Sequence, residues 1–552
     1  MLHKVLKVNV NDNVIVALRD LAAGEAVDFE GESYVLPYTV YAKHKFVTQD
    51  LAIGDPVMMY GVLVGRASQP IKRGEPVTTY NLKHDSEPYS TAKRQPYSLT
   101  PPDVSKWVGR TFKGYRRSDG KVGTYNYWLV IPLVFCENRN VLTLKDAFER
   151  ELGYAQPDLY RDQVREFLHL YQQGQIDVLK KIEPFAPVAA IDASVITKRP
   201  FKNIDGIKFL THEGGCGGTR QDAHTLCSLF ASYAVHPNVA GITVLSLGCQ
   251  NSEEKILMDE IHKRSHHFDK PLYIFEQQQG TEAEMMSMAI KQTFLGLIKA
   301  DKHEREEVPI TELVVGLKCG GSDGFSGISA NPVLGQVSDI LVALGGKTLL
   351  AEFPELHGVE QELLNRCVTE EKAAKFERLM RDYSGKADAV GSAFAFNPSP
   401  GNIKDGLITD AIKSAGAAKK GGSAPIQDVT NYTEISSEKG LQLVCTPGND
   451  VEATTGKTAA GATVILFTTG LGTPTGNPIC PVMKVATNST LANKMSDVID
   501  FDCGPVVTGE QTIAQNADAL LEEIIQVASG KLTHAQRLAQ DDFIPWKRGV
   551  SL

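Results

Sequence analysis

Gly316-Leu317-Lys318-Cys319-Gly320-Gly321-Ser322-Asp323-Gly324-Phe325-Ser326-Gly327 is the stretch on which the reading of this chain turns. The apolar run Leu313-Val314-Val315 ahead of it has the character of a buried strand, and Asn331-Pro332 behind it opens an apolar-periodic segment that reaches about Leu344. Asn331 is expected as the N-cap of a helix with Pro332 in the first helical position. Strand, glycine-rich turn and helix N-terminus in succession make a place where backbone N–H groups meet an anion. The turn also carries a thiol, a hydroxyl and a carboxylate. It is not a P-loop, because G-x-x-x-x-G-K-[ST] is absent.

Outward from this turn, apolar strands alternate with helical segments. Strands are expected at Trp128–Val134, Ile207–Thr211, Ile242–Leu247, Leu272–Phe275, Leu313–Leu317 and Thr348–Ala351, with helices at Asp222–Val235, Ser252–His262 and Glu282–Leu297. That alternation predicts an α/β unit over residues 110–390 with a mostly parallel sheet. A second α/β unit is expected over 391–552, from strands at Leu441–Cys445, Thr463–Thr468 and Val482–Val485 and the helix Thr512–Ser529. Ahead of both, short β-type runs between the turns Ala23-Gly24-Glu25, Ile53-Gly54-Asp55 and Arg73-Gly74-Glu75 predict a small antiparallel β domain over 1–84. The polar, proline-rich residues 85–109 read as an extended linker. No short-period repeat is evident.

Ligands of open α/β sheets bind beyond the carboxyl ends of the strands, so the residues just past each strand are informative. His212, Glu213 and Cys216 come after the second strand, Cys249 after the third, Cys319 to Asp323 after the fifth, and Glu352, Glu355 and His357 after the sixth. Three cysteines, two histidines and several carboxylates thus fall on one expected rim. Such donors suit iron or zinc better than magnesium or calcium. The plainer alternative is that Cys216, Cys249 and Cys319 are small buried hydrophobes and His212 a satisfied structural histidine. The turns Asn397-Pro398-Ser399-Pro400-Gly401-Asn402, Thr446–Asp450 and Thr468–Gly476 offer the hydroxyls, amides and free N–H groups expected of a pocket for a polyhydroxylated acid.

The 552 residues exceed what one core usually holds, and 42% hydrophobic with 22% charged residues describe an ordinary globular protein. A net charge of −9 argues against nucleic acid or an anionic membrane as partner. No apolar run approaches a membrane span, and Met1–Leu6 lacks the apolar region of a signal peptide. Nine scattered cysteines suit a reducing cytoplasm better than a disulfide framework.

Taken together, Thr211-His212-x-x-Gly-Cys216-Gly, Gly248-Cys249, Cys319-Gly-Gly-Ser-Asp323-x-Phe-Ser-Gly, Asn397-Pro-Ser-Pro-Gly-Asn402 and Thr468-Thr-Gly-x-Gly472 resemble the altronate/galactarate dehydratase family. So do Gly114-Tyr115-x-Arg-Ser-Asp119 and the closing Asp542-Phe-Ile-Pro545-Trp546, and the first unit, with Asp12-Asn13-Val14 and Lys43-His44-Lys45, resembles the SAF-type domain of these enzymes. Asn397–Asn402 and the closing Pro-Trp favour the altronate branch.

The resemblance implies a hydro-lyase that removes the C2 proton and the C3 hydroxyl of a sugar acid and leaves a 2-keto-3-deoxy acid. It implies Fe²⁺, or Mn²⁺, and a homo-oligomer, taken as a dimer, is expected in the cytoplasm; a different lyase with a [4Fe–4S] cluster held by the three cysteines is the less favoured alternative. His212 is the expected base, Asp323 or Glu352 the acid or a metal ligand, and His44 a residue at the border of the site. Cys216, Cys249 and Cys319 are the candidate metal contacts. Lys318, Ser322, Asn402, Thr468, Thr469 and Lys484 are the candidate substrate contacts. A galactarate or other aldarate or aldonate dehydratase and a non-catalytic sugar-acid binder are the alternatives. The chain departs from the family pattern at Thr78 and Tyr80, where histidines are usual, and at Tyr125 and Leu471, where arginines are usual. Losing arginines that pair with carboxylates points to a substrate with one carboxylate rather than two.

Overall fold

In the computed structural model, residues 4–157, 159–183 and 199–549 are described; Met1–His3, on which the reading of the N-terminus partly rests, lie outside them. The N-terminal unit consists of short antiparallel pairings. Val5–Leu6, Val14–Ala17 and Lys45–Val47 form one ladder, Ala26–Phe29 pairs with Glu32–Val35, and Pro56–Met59, Val62–Ala67 and Leu82–Lys83 form a third. Gly24, Gly54 and Gly74 sit at φ of 79°, 89° and 86°, where a side chain would be strained. Each is followed by a carboxylate that accepts a backbone N–H from three residues earlier: Glu25 from Ala22, Asp55 from Ala52 and Glu75 from Lys72. Leu21–Val27, Leu51–Val57 and Ile71–Val77 are therefore one turn used three times. This corrects the reading that the chain has no short repeat; only the glycine, the acid and the flanking apolar residues are shared.

Residues 85–109, expected as a linker, run along the third unit and are fastened to it. The Ser90 N–H donates to Gln361 Oε1 at 3.0 Å, the Thr91 N–H to Glu377 Oε2 at 2.9 Å and Arg94 Nε to the Leu364 carbonyl at 3.0 Å.

The second unit carries a parallel four-stranded sheet in the order Gly206–Phe209, Tyr127–Pro132, Val239–Ser246, Leu272–Glu276. The third carries a parallel seven-stranded sheet in the order Ile426–Thr430, Gly440–Val444, Lys347–Ala351, Val314–Cys319, Val464–Thr469, Val482–Ala486, Phe501–Asp502. Parallel sheets are covered on both faces, which is why strands such as Tyr127–Pro132 read as near-continuous apolar runs. The seven-stranded sheet crosses the boundary expected at residue 390. Two strands assigned by sequence order to the earlier unit pair with five that come later, because parallel pairing follows crossover connections and not proximity in sequence.

The helix after the glycine-rich turn spans Ala330–Ala343 with Ser329 as N-cap. Asn331, expected as the cap, lies inside the first turn; its side chain donates to the Gly416 carbonyl and accepts from Thr468 Oγ1 at 2.7 Å.

The first and third units share one core, in which Val57, Val64 and Leu82 meet Leu407, Ile408 and Ala411. The contact is close enough that a Cβ on Gly324 or Gly406 would collide with the Lys43 carbonyl. Among the described residues, no helix is long and apolar enough to cross a membrane.

Candidate active site

At the carboxyl end of the seven-stranded sheet lies a buried cluster of lysines, carboxylates and one thiol. Lys318 and Cys319 end their strand. Glu352 follows Lys347–Ala351 at φ 71°, a left-handed conformation that a residue with a side chain adopts only when its surroundings impose it. Glu355 comes one short turn later. Lys413 lies in the helix Asp410–Ala418, Lys420 just beyond it, and Asp450 and Lys457 in the helix Asp450–Ala459.

Lys318 Nζ pairs with Glu352 Oε1 and lies 2.8 Å from Asp450 Oδ1. Lys420 Nζ reaches Glu352 Oε2 at 2.9 Å and Cys319 Sγ at 2.8 Å. The Cys319 thiol donates to Glu355 Oε2 at 3.1 Å, and Lys413 Nζ lies 3.4 Å from Glu355 Oε1. Lys457 Nζ has no hydrogen-bond partner, with Glu352 Oε2 at 3.8 Å.

Four lysines thus meet three carboxylates in a region where an unmatched charge costs several kcal/mol. The imbalance falls on Lys457. Burial pushes its ammonium down to about 7, with Lys318 and Lys420 adding to the shift and Glu352 opposing it. Burial also works against ionisation of Glu352, but Lys318, Lys420 and Lys457 outweigh it and hold that carboxyl well below the usual range. Burial and Glu355 push the Cys319 thiol up, against Lys420 and Lys318. Near neutral pH the cluster therefore holds an ionised Glu352, a neutral thiol and one amine poised to gain or lose a proton. Such an amine can act as a general base.

Unpaired polar atoms continue from this cluster. Ser322 Oγ, Asn397 Nδ2, both Asp410 carboxylate oxygens and Ser414 Oγ are buried without hydrogen-bond partners. Lys413 Nζ donates to Asn397 Oδ1 at 3.1 Å, and Asn402 Nδ2 to the Ser322 carbonyl at 2.8 Å. Unpaired buried polar atoms are rare in folded proteins, and their concentration here marks a place for a polar ligand.

The other expected residues are distributed around this centre. Asp323 is fully buried and saturated: Oδ1 accepts from the Phe325 and Ser326 N–H groups and from Ser326 Oγ, while Oδ2 accepts from Thr487 Oγ1 and pairs with Lys43 Nζ at 3.0 Å. It fastens the glycine-rich turn to the N-terminal unit and has no lone pair to spare for acid–base work. His44 lies at the same junction with Nε2 3.0 Å from the Lys404 carbonyl. Thr468 bonds Asn331, and Thr469 Oγ1 accepts from the Gly472 N–H at 2.9 Å, which shapes the loop that carries Leu471. Lys484 donates to the Thr475 carbonyl and stands 3.9 Å from the centre of the Phe467 ring.

His212, Cys216 and Cys249 belong to the other sheet. His212 Nε2 meets the Pro132 carbonyl at 2.8 Å and Nδ1 accepts the Gly214 N–H at 3.0 Å, so both ring nitrogens are committed to backbone. Burial pushes its imidazolium down to about 4. It lines a separate cavity of about 540 Å³ with Cys216, Glu452, Phe543 and Trp546. Cys216 and Cys249 are exposed. Among the described residues, the groups with ligand atoms near enough to share an ion are Cys319–Glu352–Glu355 and His84–His357–Asp410, and neither includes Cys216 or Cys249. The single rim expected from sequence is in fact two, one on each sheet.

Tyr125, where the family resemblance led to an expectation of arginine, is buried in the second unit and stacked on Tyr127. Leu471 is 45% exposed beside Gly321, at the edge of the glycine-rich turn. Lys413, Lys420 and Lys457 were not singled out from sequence. For Lys457 a signal existed: it is the only charged residue between Ala453 and Ala462.

Three family models together cover most of the chain. "Altronate/galactarate dehydratase SAF domain" matches residues 3–85, "D-galactarate dehydratase/Altronate hydrolase, second domain" residues 114–301, and "D-galactarate/Altronate dehydratase, C-terminal" residues 310–551. The altronate dehydratase of Bacillus subtilis is 33% identical, with 99% of each chain covered. That of Escherichia coli is 32% identical, again over 99% of each chain. The galactarate dehydratase (L-threo-forming) of Escherichia coli is 29% identical over 95% of this chain and 93% of its own.

Proposed function

The chain belongs to the altronate/galactarate dehydratase family, and from that premise we propose that it dehydrates D-altronate to 2-dehydro-3-deoxy-D-gluconate. The observation that carries the reading is the buried lysine–carboxylate cluster whose one unpaired amine, Lys457, is shifted to about 7. A proton next to a carboxylate is weakly acidic, so its removal needs a base and a field that stabilises the aci-carboxylate as it forms. Neutral Lys457 takes the C2 proton. Lys318 and Lys420 supply positive charge to the developing dianion. Lys413, held by Glu355 and Asn397, gives a proton to the departing C3 hydroxyl, and the enol collapses to the 2-keto acid. Ser322, Asn397 and Ser414 have free polar atoms for the remaining hydroxyls.

Family membership brings a divalent metal into the reading, Fe²⁺ with Mn²⁺ as the substitute. Cys319–Glu352–Glu355 does not fit it, because the thiol is held neutral and the Glu352 oxygens are taken by Lys318 and Lys420. His84, His357 and Asp410 fit: the His84 Nδ1 and both Asp410 oxygens are buried and unpaired. A cation bound there supplies positive charge beside the cluster that receives the substrate carboxylate. With Cys216 and Cys249 exposed on the other sheet, an iron–sulfur cluster on the three cysteines has no support here.

A cytoplasmic dimer goes with this reading, supported by nine free thiols and by the exposed stripe Tyr160, Val164, Leu168 and Tyr171 on the helix Leu159–Gln172. The test is a coupled assay for the 2-keto product with D-altronate and galactarate offered in parallel. Product from altronate supports the proposal, and no product from either acid with metal-loaded protein overturns it.

A further inference from the structure

We propose that His84, His357 and Asp410 form a divalent-metal clasp that fixes the N-terminal unit onto the third, so that metal binding and docking of that unit are one event. The three residues come from separate parts of the chain. His84 directly follows the last strand of the first unit, Leu82–Lys83; His357 lies just after the turn that carries Glu352 and Glu355; Asp410 opens the helix that carries Lys413. Their ligand atoms lie within 4.8 Å of one another. A first-row ion holds nitrogen and oxygen at roughly 2.1 Å, which asks the side chains to close by about an ångström.

Two further features mark the group as built for a cation. The Asp410 residue is 1% exposed with neither oxygen paired, and the His84 Nδ1 is buried and unpaired, so the donors are desolvated without protein partners. The His357 Nδ1 is 2.9 Å from Glu360 Oε1, which orients the ring and leaves Nε2 as ligand, as carboxylates do behind metal-bound histidines. Two imidazoles and a carboxylate suit divalent iron, manganese or zinc and leave further coordination positions open. The surrounding interface is continuous: Thr409 Oγ1 donates to the Val64 carbonyl at 2.9 Å, and Leu82 packs in one core with Ala411.

The inference rests on the unpaired donors and not on the dehydratase reading, and it is tested without turnover. Chelator-stripped full-length protein is titrated with Co²⁺, read by its visible d–d absorption and by metal analysis after dialysis. Limited proteolysis across residues 85–109 is followed with and without metal. Wild type should bind one equivalent and become more resistant to cleavage. His84→Ala and Asp410→Asn, the latter nearly isosteric, should each weaken binding by about 100-fold or more and abolish the protection. Absorption bands unchanged in both variants, or metal binding that leaves proteolysis of the arm untouched, would overturn the proposal. An active enzyme with that outcome would leave the dehydratase reading standing.

Discussion

Lys457→Met should separate catalysis from folding, because the amine assigned the chemistry is a burden to the fold. Burial, reinforced by Lys318 and Lys420, takes its ammonium from the ordinary 10.5 to about 7. At ~1.4 kcal/mol per pKa unit the folded protein forgoes roughly 5 kcal/mol at neutral pH and below. Because the folded-state pKa is the lower one, the unfolded chain binds more protons between about 7 and 10.5, and this contribution makes stability rise with pH across that window. Methionine fills the same space without the charge. The variant is therefore expected to be more stable than wild type by up to a few kcal/mol near pH 7, with the gap closing toward pH 10. Its kcat should fall by roughly 10²- to 10⁴-fold, the usual worth of a general base. Wild-type kcat/KM should rise with pH through about 7 as the free amine loses its proton, and the variant should lack that limb. The assays are urea unfolding and coupled turnover across the same pH series. A Lys457→Met enzyme with wild-type kcat, or one that loses activity only because it no longer folds, would refute the assignment.

Exhaustive chelation should abolish turnover, and Fe²⁺, or Mn²⁺ less well, should restore it; full activity in metal-free protein would show that no cation takes part. Lys43→Met leaves the buried Asp323 carboxylate without its ammonium partner, so Tm should fall by several degrees with loss of a few kcal/mol, and an unchanged melt would show that the junction carries no stability. Altronate should be preferred over galactarate in kcat/KM, and Leu471→Arg should narrow that preference while leaving the melt unchanged, because Leu471 is exposed beside the glycine-rich turn; equal turnover of both acids by the wild type would remove the premise.

The parallel sheets were legible because both faces are buried, which turns strands such as Tyr127–Pro132 into near-continuous apolar runs. Their assignment to sheets was not, since periodicity carries no record of which strands pair; hence a boundary placed at 390 inside a sheet. The glycine-rich turn was found, yet its carboxylate proved to be a fastener. Asp323 has the same composition cue whether its oxygens are free or filled, and only the positions of Lys43 and Thr487, far away in sequence, decide between them. His212 shows the same limit, its two nitrogens being taken by backbone groups that no side-chain pattern announces. The lysines escaped notice for the opposite reason. A lysine in a helix normally signals a solvated face, and only the absence of any other charge around Lys457 hints that its face is buried.

The choice of lysine over arginine in this cluster follows from the charge that the reaction creates. With Lys457 neutral, three lysines, Lys318, Lys413 and Lys420, face three carboxylates, Glu352, Glu355 and Asp450. Removing the C2 proton converts a bound monoanion into an aci-carboxylate dianion and in the same step makes Lys457 the fourth ammonium of the cluster. The extra negative charge on the substrate and the extra positive charge on the protein appear together, inside a region that tolerates neither alone. An arginine at 457 would be charged throughout, since a guanidinium does not give up its proton in this range. It would bind the carboxylate of the ground state as strongly as that of the transition state, and such uniform binding does not speed the chemical step. On this argument Lys457→Arg, if it folds, should bind altronate at least as tightly as wild type and turn it over no better than Lys457→Met. Tight binding with near-normal kcat would place the base elsewhere in the cluster.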